Sequence, residues 1–239
     1  MENGNVVIHF DPMAAAYENA KKVCKEAGYD GNLSLHVLRV LATLDASTKR
    51  YDLSIYQVAN QEKTGSIESL LDINDVFFGL GLALKVVKVT TANADFNEHP
   101  WLSFPDATLF DATNERKSVA KVWGGGKLSY KNGNDTEIRD LPTELLEFAP
   151  ERVPSGVTVP QQIGGGGMES RGFLPMYPKR VFLGGDSDEF TLTLGEGVIT
   201  AIAGDTGEQN YAMLEILGFR ATNAKQKIAA SLGSKGCQF

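Results

Sequence analysis

Cysteine and histidine are scarce in this chain. Two cysteines, Cys24 and Cys237, and three histidines, His9, His36 and His99, are spread over 239 residues, and none clusters with another. A structural zinc site needs four close soft ligands, generally in paired spacing, and no such pair occurs. No disulfide framework is indicated either, which fits a reducing compartment. A bilayer-spanning apolar run is also lacking. The longest apolar stretch, Val76 to Val89, is broken by Lys85 and Lys88 and is too short. The opening MENGNVVIHFDP has no basic region followed by a long apolar core, so no targeting segment is expected. Basic charge is in deficit as well. The net charge is −7, whereas a groove for duplex nucleic acid needs a basic field. These absences lead to the expectation of a soluble protein made in the cytoplasm, without a transmembrane segment and without strong nucleic-acid binding.

Phosphate-binding signatures fail on register. The four glycines Gly164–Gly167 put Glu169 where a dinucleotide fingerprint needs its third glycine, and GLGLAL at Gly79 and Gly81 has Leu84 there. A P-loop needs Ser or Thr after its lysine, but Leu128 follows Lys127. Ser118 and Lys121 have S-x-x-K spacing and Lys63–Gly65 reads KTG, but KTG precedes the serine and no SDN element lies between. No G-x-S-x-G occurs. Catalytic, cofactor-binding and metal-ligating residues are therefore assigned to none. The acid-rich turns Gly184–Glu189 and Ala203–Asn210 could offer calcium hard oxygen ligands, but turns between strands favour Asp, Gly and Asn in any case.

What is present is chiefly β-pattern. Apolar residues make up 42% of the chain, enough to bury a substantial core in one large domain or two small ones. LSLHVLRVLATL and YDLSIYQV alternate with period two, and VFFGLGLALKVVKV reads as a long strand bent near Gly79 and Gly81. KLSYKNGNDTEIRD is a hairpin, with Asn132-Gly133 as its turn. Further strands are expected at Ala107–Phe110, in KRVFLGG, around Phe190–Leu194, in VITAIAGDTGE and in YAMLEILGFRATNA. SIESLLDIND suggests one helical turn, and NERKSVAKVW, LPTELLEF and the tail suggest short helices.

The best helix is DPMAAAYENAKKVCKEAG. Pro12 suits its first position, Met13, Tyr17, Ala20, Cys24 and Ala27 form a stripe, and Gly28 can close it. Its apolar face is modest, so it should lie against a sheet or a partner. With roughly nine to eleven strands and no βαβα order, the expected class is all-β: a sandwich of jelly-roll type with an N-terminal helix and small peripheral helices. The chain divides into an N-terminal strand and helix arm (1–30), a first β-rich portion (31–150), a Gly/Pro-rich loop or linker (151–172), a second β-rich portion (173–223) and a C-terminal tail (224–239). Trp101, Trp123, Tyr51, Tyr56, Tyr130 and Tyr177 could form a sugar-stacking platform. In a sandwich such residues more often serve as core or as interface anchors, and Trp101 and Trp123 are the candidate interface aromatics.

Several segments in order carry a resemblance: LLDINDVFFGLGLALKV, FPDATLFD, WGGGKLSYKNGNDTEIRDLPTELLEFAPERVP and FLPMYPKRVFLGGDSDEFTLTL. Their succession, from about Leu70 to Leu194, resembles jelly-roll capsid proteins, virion structural components of small tailless icosahedral bacteriophages. The resemblance implies a subunit that self-assembles into an icosahedral shell, without catalysis or cofactor. Its partners would be other copies of itself and other virion proteins, and its location the virion. One roll or a compact double roll fits the family. Gly164, Gly165, Gly166 and Gly167 would then sit in an assembly arm ordered by a neighbouring subunit. The alternative is a β-sandwich binding module for a glycan or a protein partner.

Overall fold

A computed structural model describes residues 12–56, 68–90, 95–110, 113–132, 135–148, 172–186 and 188–232. Gly164–Gly167, and with them the expected assembly arm, lie outside the described residues, as do His9, Lys63–Gly65 and Cys237.

Helix α1 runs over Pro12–Glu26. It stops where glycine can adopt a left-handed backbone: Gly28 has φ +70, and the Gly28 and Tyr29 amides return to the carbonyls of Lys25 and Cys24. This is a Schellman closure, which satisfies two carbonyls that the helix leaves open. Eight strands follow: β1 (Leu33–Thr43), β2 (Arg50–Ser54), β3 (Val76–Thr90), β4 (Lys127–Asn132), β5 (Asp135–Pro142), β6 (Leu174–Leu183), β7 (Asp188–Thr193) and β8 (Glu208–Ala221). Two further helices, α2 (Thr113–Val119) and α3 (Lys225–Leu232), flank them. The class is all-β: two antiparallel four-stranded sheets face each other, one ordered β1-β8-β3-β6 and the other β2-β7-β4-β5.

Period-two patterning decides which face each strand turns inward. In β1, Leu38, Val40 and Ala42 are buried between the sheets. In β2, Tyr51 and Leu53 are buried, while Asp52 and Ser54 are exposed. β3 is different, being buried on both faces almost throughout. Its inner residues Phe77, Leu82, Leu84 and Val86 join the core between the sheets. Its outer residues Val76, Phe78, Leu80 and Ala83 pack with Ala16, Ala20 and Cys24 of α1 and with Ile228 of α3. The helical stripe thus lies against the outer face of the first sheet. The bend at the two glycines is a register shift between Gly79 and Gly81, with the Phe182 ring lying where a Gly79 side chain would stand.

The open sides of the sandwich are bridged. Ser69 pairs with Arg39 at the β1 edge and Leu71 pairs with Tyr56 beyond β2, so residues 69–71 join the two sheets on one side. On the other, Arg180 of β6 forms an ion pair with Glu137 of β5. The two backbone bridges cover part of the β1 edge, and charged side chains at the β5 and β6 edges make pairing with other chains less favourable.

Three expectations are corrected. Residues 69–71 are extended and not helical, because their backbone groups pair with β1 and with Tyr56. Ala107–Phe110 is a turn and not a strand: the Thr108 amide donates to Asp106 Oδ1 at 2.6 Å, and the Phe110 amide to the Asp106 carbonyl. VITAIAGDTGE is a series of turns, with Gly197, Gly204 and Gly207 all at positive φ. The described strands are therefore eight. Each sheet takes strands from both 31–150 and 173–223, so these two portions interleave in a single pair of sheets.

Candidate functional site

Aromatic rings pack between the sheets. Phe77 and Phe182 from the first sheet meet Tyr130 and Phe190 from the second, with ring centroids 4.7–6.3 Å apart. Where these rings meet, the volume is occupied by side chains. Among the described residues no group of three His, Cys, Asp or Glu side chains is placed to hold a metal ion, and no helix is long and apolar enough to cross a membrane.

The aromatic residues singled out in the sequence part company. Trp123 is fully buried and belongs to the core of the single chain, so it offers no surface to an interface. Trp101 is half-buried, stacks on Phe96 with centroids 6.0 Å apart, and donates from Nε1 to the Phe96 carbonyl. Tyr51, Tyr56 and Tyr130 are buried, whereas Tyr177 is 79% exposed. The six do not share one surface. Ser118 is buried on α2, and Lys121 lies beside Gly197.

Charge is buried in two networks that the sequence had marked only as interruptions of an apolar run. Lys88 donates to Glu115 at 2.8 Å and pairs with Glu208 at 3.1 Å, while Asn210 Nδ2 donates to the other Glu115 oxygen at 2.9 Å. This set fastens α2 to β3 and β8. On the outer face of the first sheet, Glu215 sits between Arg39 at 2.9 Å and Lys85 at 2.6 Å. Both networks place opposite charges and hydrogen bonds against their buried members, Lys88, Glu115 and Glu215, which offsets the cost of taking those groups out of water.

His36 stands at the β1 edge with Nε2 2.8 Å from Ser69 Oγ. Burial, and then the charges of Arg220 and Arg39, push its pKa below the usual histidine value, with Asp75 opposing. A base whose folded pKa is depressed contributes stability above its unfolded pKa and loses it as pH falls through the folded one. The wild-type chain should therefore lose more melting temperature between pH 7.5 and pH 5.5 than H36Q does. Parallel pH dependence of the two melts would contradict this.

Two concavities open on the described surface. One, of about 430 Å³, lies at the β1 edge among Leu35, Val37, Arg39, Phe173 and Leu217. The other, of about 310 Å³, lies between α1 and the start of β1. Comparison with known protein families, curated proteins and solved structures finds no match to this chain.

Proposed function

We propose that this chain is a virion structural subunit, a single jelly roll that assembles with copies of itself into a closed shell and carries out no catalysis. One observation carries the reading. The strands pair first with last, second with seventh, third with sixth and fourth with fifth, all antiparallel. That pattern arises when one long hairpin, its tip between β4 and β5, is wrapped around a common core. Eight strands wound this way make the two Greek keys of a jelly roll, an architecture shared by capsid proteins, lectins and cupins. The four rings packed between the sheets favour the first of these over a barrel with a ligand held at that point. The dispersal of the six aromatic side chains weighs against a sugar platform.

The reading is tested by assembly. Sedimentation velocity and negative-stain microscopy of the purified chain across a wide concentration range should reveal symmetric oligomers or shells. A monomer at every concentration, with no virion that incorporates it, would overturn the proposal. A glycan-array signal abolished by W101A would replace it with the binding-module reading.

A further inference from the structure

We propose that the pocket between α1 and the start of β1 binds a nucleoside phosphate, either free or as one unit of a single strand. The pocket is built in three tiers. Its floor is Cys24 and Leu33, and burial pushes the Cys24 thiol up to about 11, so the floor is uncharged at neutral pH. Its walls are the rings of Tyr17 and Tyr29, and its rim carries Lys21 and Lys25 together with Asp30 and Asn32.

Both walls are fixed before any ligand arrives. Tyr17 is held by an edge contact to Phe219 with ring centroids 5.3 Å apart. Tyr29 donates its hydroxyl to the Thr222 carbonyl at 2.9 Å, and its phenol lies where a side chain on Gly31 would stand. Rings held in this way lose little further conformational entropy when a ligand meets them, and contact with aromatic rings is how proteins take up unpaired bases.

The rim provides the charge. Lys21 and Lys25 are four residues apart on one helix, so their like charges face each other and weaken the helix slightly. Lys21 lies 6.0 Å from the Tyr17 ring centroid, and neither lysine has a carboxylate partner among the described residues. The neighbouring Lys22, by contrast, pairs with Glu26. Two ammonium groups outnumber the single Asp30 carboxylate at this rim, and with two tyrosines in the same pocket they match a phosphate attached to a planar base. Asp30 and Asn32 can meet base or sugar donors. One such site is weak, which agrees with a chain of net charge −7. The inference concerns the single chain and stands apart from the shell reading.

Backbone NMR of the full chain tests it with three probes: adenosine monophosphate, inorganic phosphate and a ten-residue oligothymidylate. The first and third should shift the resonances of residues 17–33, and phosphate alone should do so far less. If both lysines contact phosphates, the oligonucleotide affinity should fall with salt at a log–log slope of about −1.4. K21A/K25A should weaken binding roughly tenfold, a loss of about 1.4 kcal/mol, and flatten that slope. Both lysines are exposed and repel each other, so the melting temperature should not fall. K22A should bind as wild type. Binding of the mononucleotide alone assigns a free nucleotide, and tighter binding of the oligomer assigns a strand. The proposal is overturned if neither nucleotide probe shifts the pocket at millimolar concentration, if phosphate alone does as much, or if K21A/K25A binds unchanged. Failure here leaves the shell proposal intact. Conversely, a strictly monomeric chain that binds nucleotide would support this pocket and overturn the shell.

Discussion

F182A should lower the melting temperature by roughly 10 °C, a loss of about 3–5 kcal/mol for removing a large side chain from a sealed core. Phe182 is fully buried on β6 and meets Phe77 within its own sheet and both Tyr130 and Phe190 in the opposite one. Truncation would empty the volume where four rings from two sheets converge. Close-packed interiors relax only partly into such a space, so the cavity adds to the lost transfer free energy. Each aromatic pair contributes about 0.5–1.5 kcal/mol beyond its area, and three pairs involving Phe182 would go at once. Y177A is the matched control. It lies on the same strand, five positions away, but is 79% exposed, and it should change stability by no more than about 0.5 kcal/mol. Urea unfolding of the two variants would measure the contrast. Equal, small effects would show that the sheets are not held together at this cluster.

Phe182 also shows where the sequence is readable. KRVFLGG identifies a strand by its own residues, and so do the alternating runs around β1, β2 and β7, because period two is a local property. The hairpin of β4 and β5 and the glycine bend in β3 are local too, and both are legible. Pairing order is not. Nothing in YAMLEILGFRATNA says that it will lie between β1 and β3, more than 100 residues earlier in the chain, yet that placement defines the topology. Trp123 illustrates the same limit. A tryptophan next to a run of glycines reads as surface chemistry, and only the tertiary packing of the sandwich makes it core. The false strand at Ala107–Phe110 arises because apolar content outvotes Asp106, whose side chain caps a turn. The candidate pocket is equally hard to see in the sequence. Its lysines and tyrosines read as a helix face, and what unites them is Tyr29 folding back beyond the end of α1.

The assembly proposal depends on surfaces, and the described edges constrain it. Residues 69–71 bridge the sheets on one side and the Arg180–Glu137 pair does so on the other. Edge-to-edge strand addition between copies is therefore disfavoured at these positions, and faces, loops or segments outside the described residues are the better candidates for contact between subunits. A face-on, heterologous contact closes into rings when its rotation divides a full turn, which is what a shell requires and what an open sheet edge would not guarantee.

The second large effect is electrostatic. K88M should cost about 3–5 kcal/mol at neutral pH, because it strands the Glu115 carboxylate, 1% exposed, without its cation. In the wild type, burial alone would lower the Lys88 pKa, but hydrogen bonds and charge from Glu115 and Glu208 outweigh it, and the ammonium titrates above its usual value. A base whose folded pKa is raised contributes stability that is complete below the unfolded pKa and is lost as pH rises through the folded one. Wild-type stability from this site should thus persist to alkaline pH and decline only above about pH 10.5. K88M/E115Q removes the stranded charge while leaving an amide oxygen to accept from Asn210, and it should regain most of the loss. The double-mutant cycle, read by urea unfolding at pH 7, should give a coupling of about 2 kcal/mol or more. Additive effects of the two substitutions would mean that Lys88 and Glu115 act independently and that α2 is held to the sheet by its apolar contacts alone.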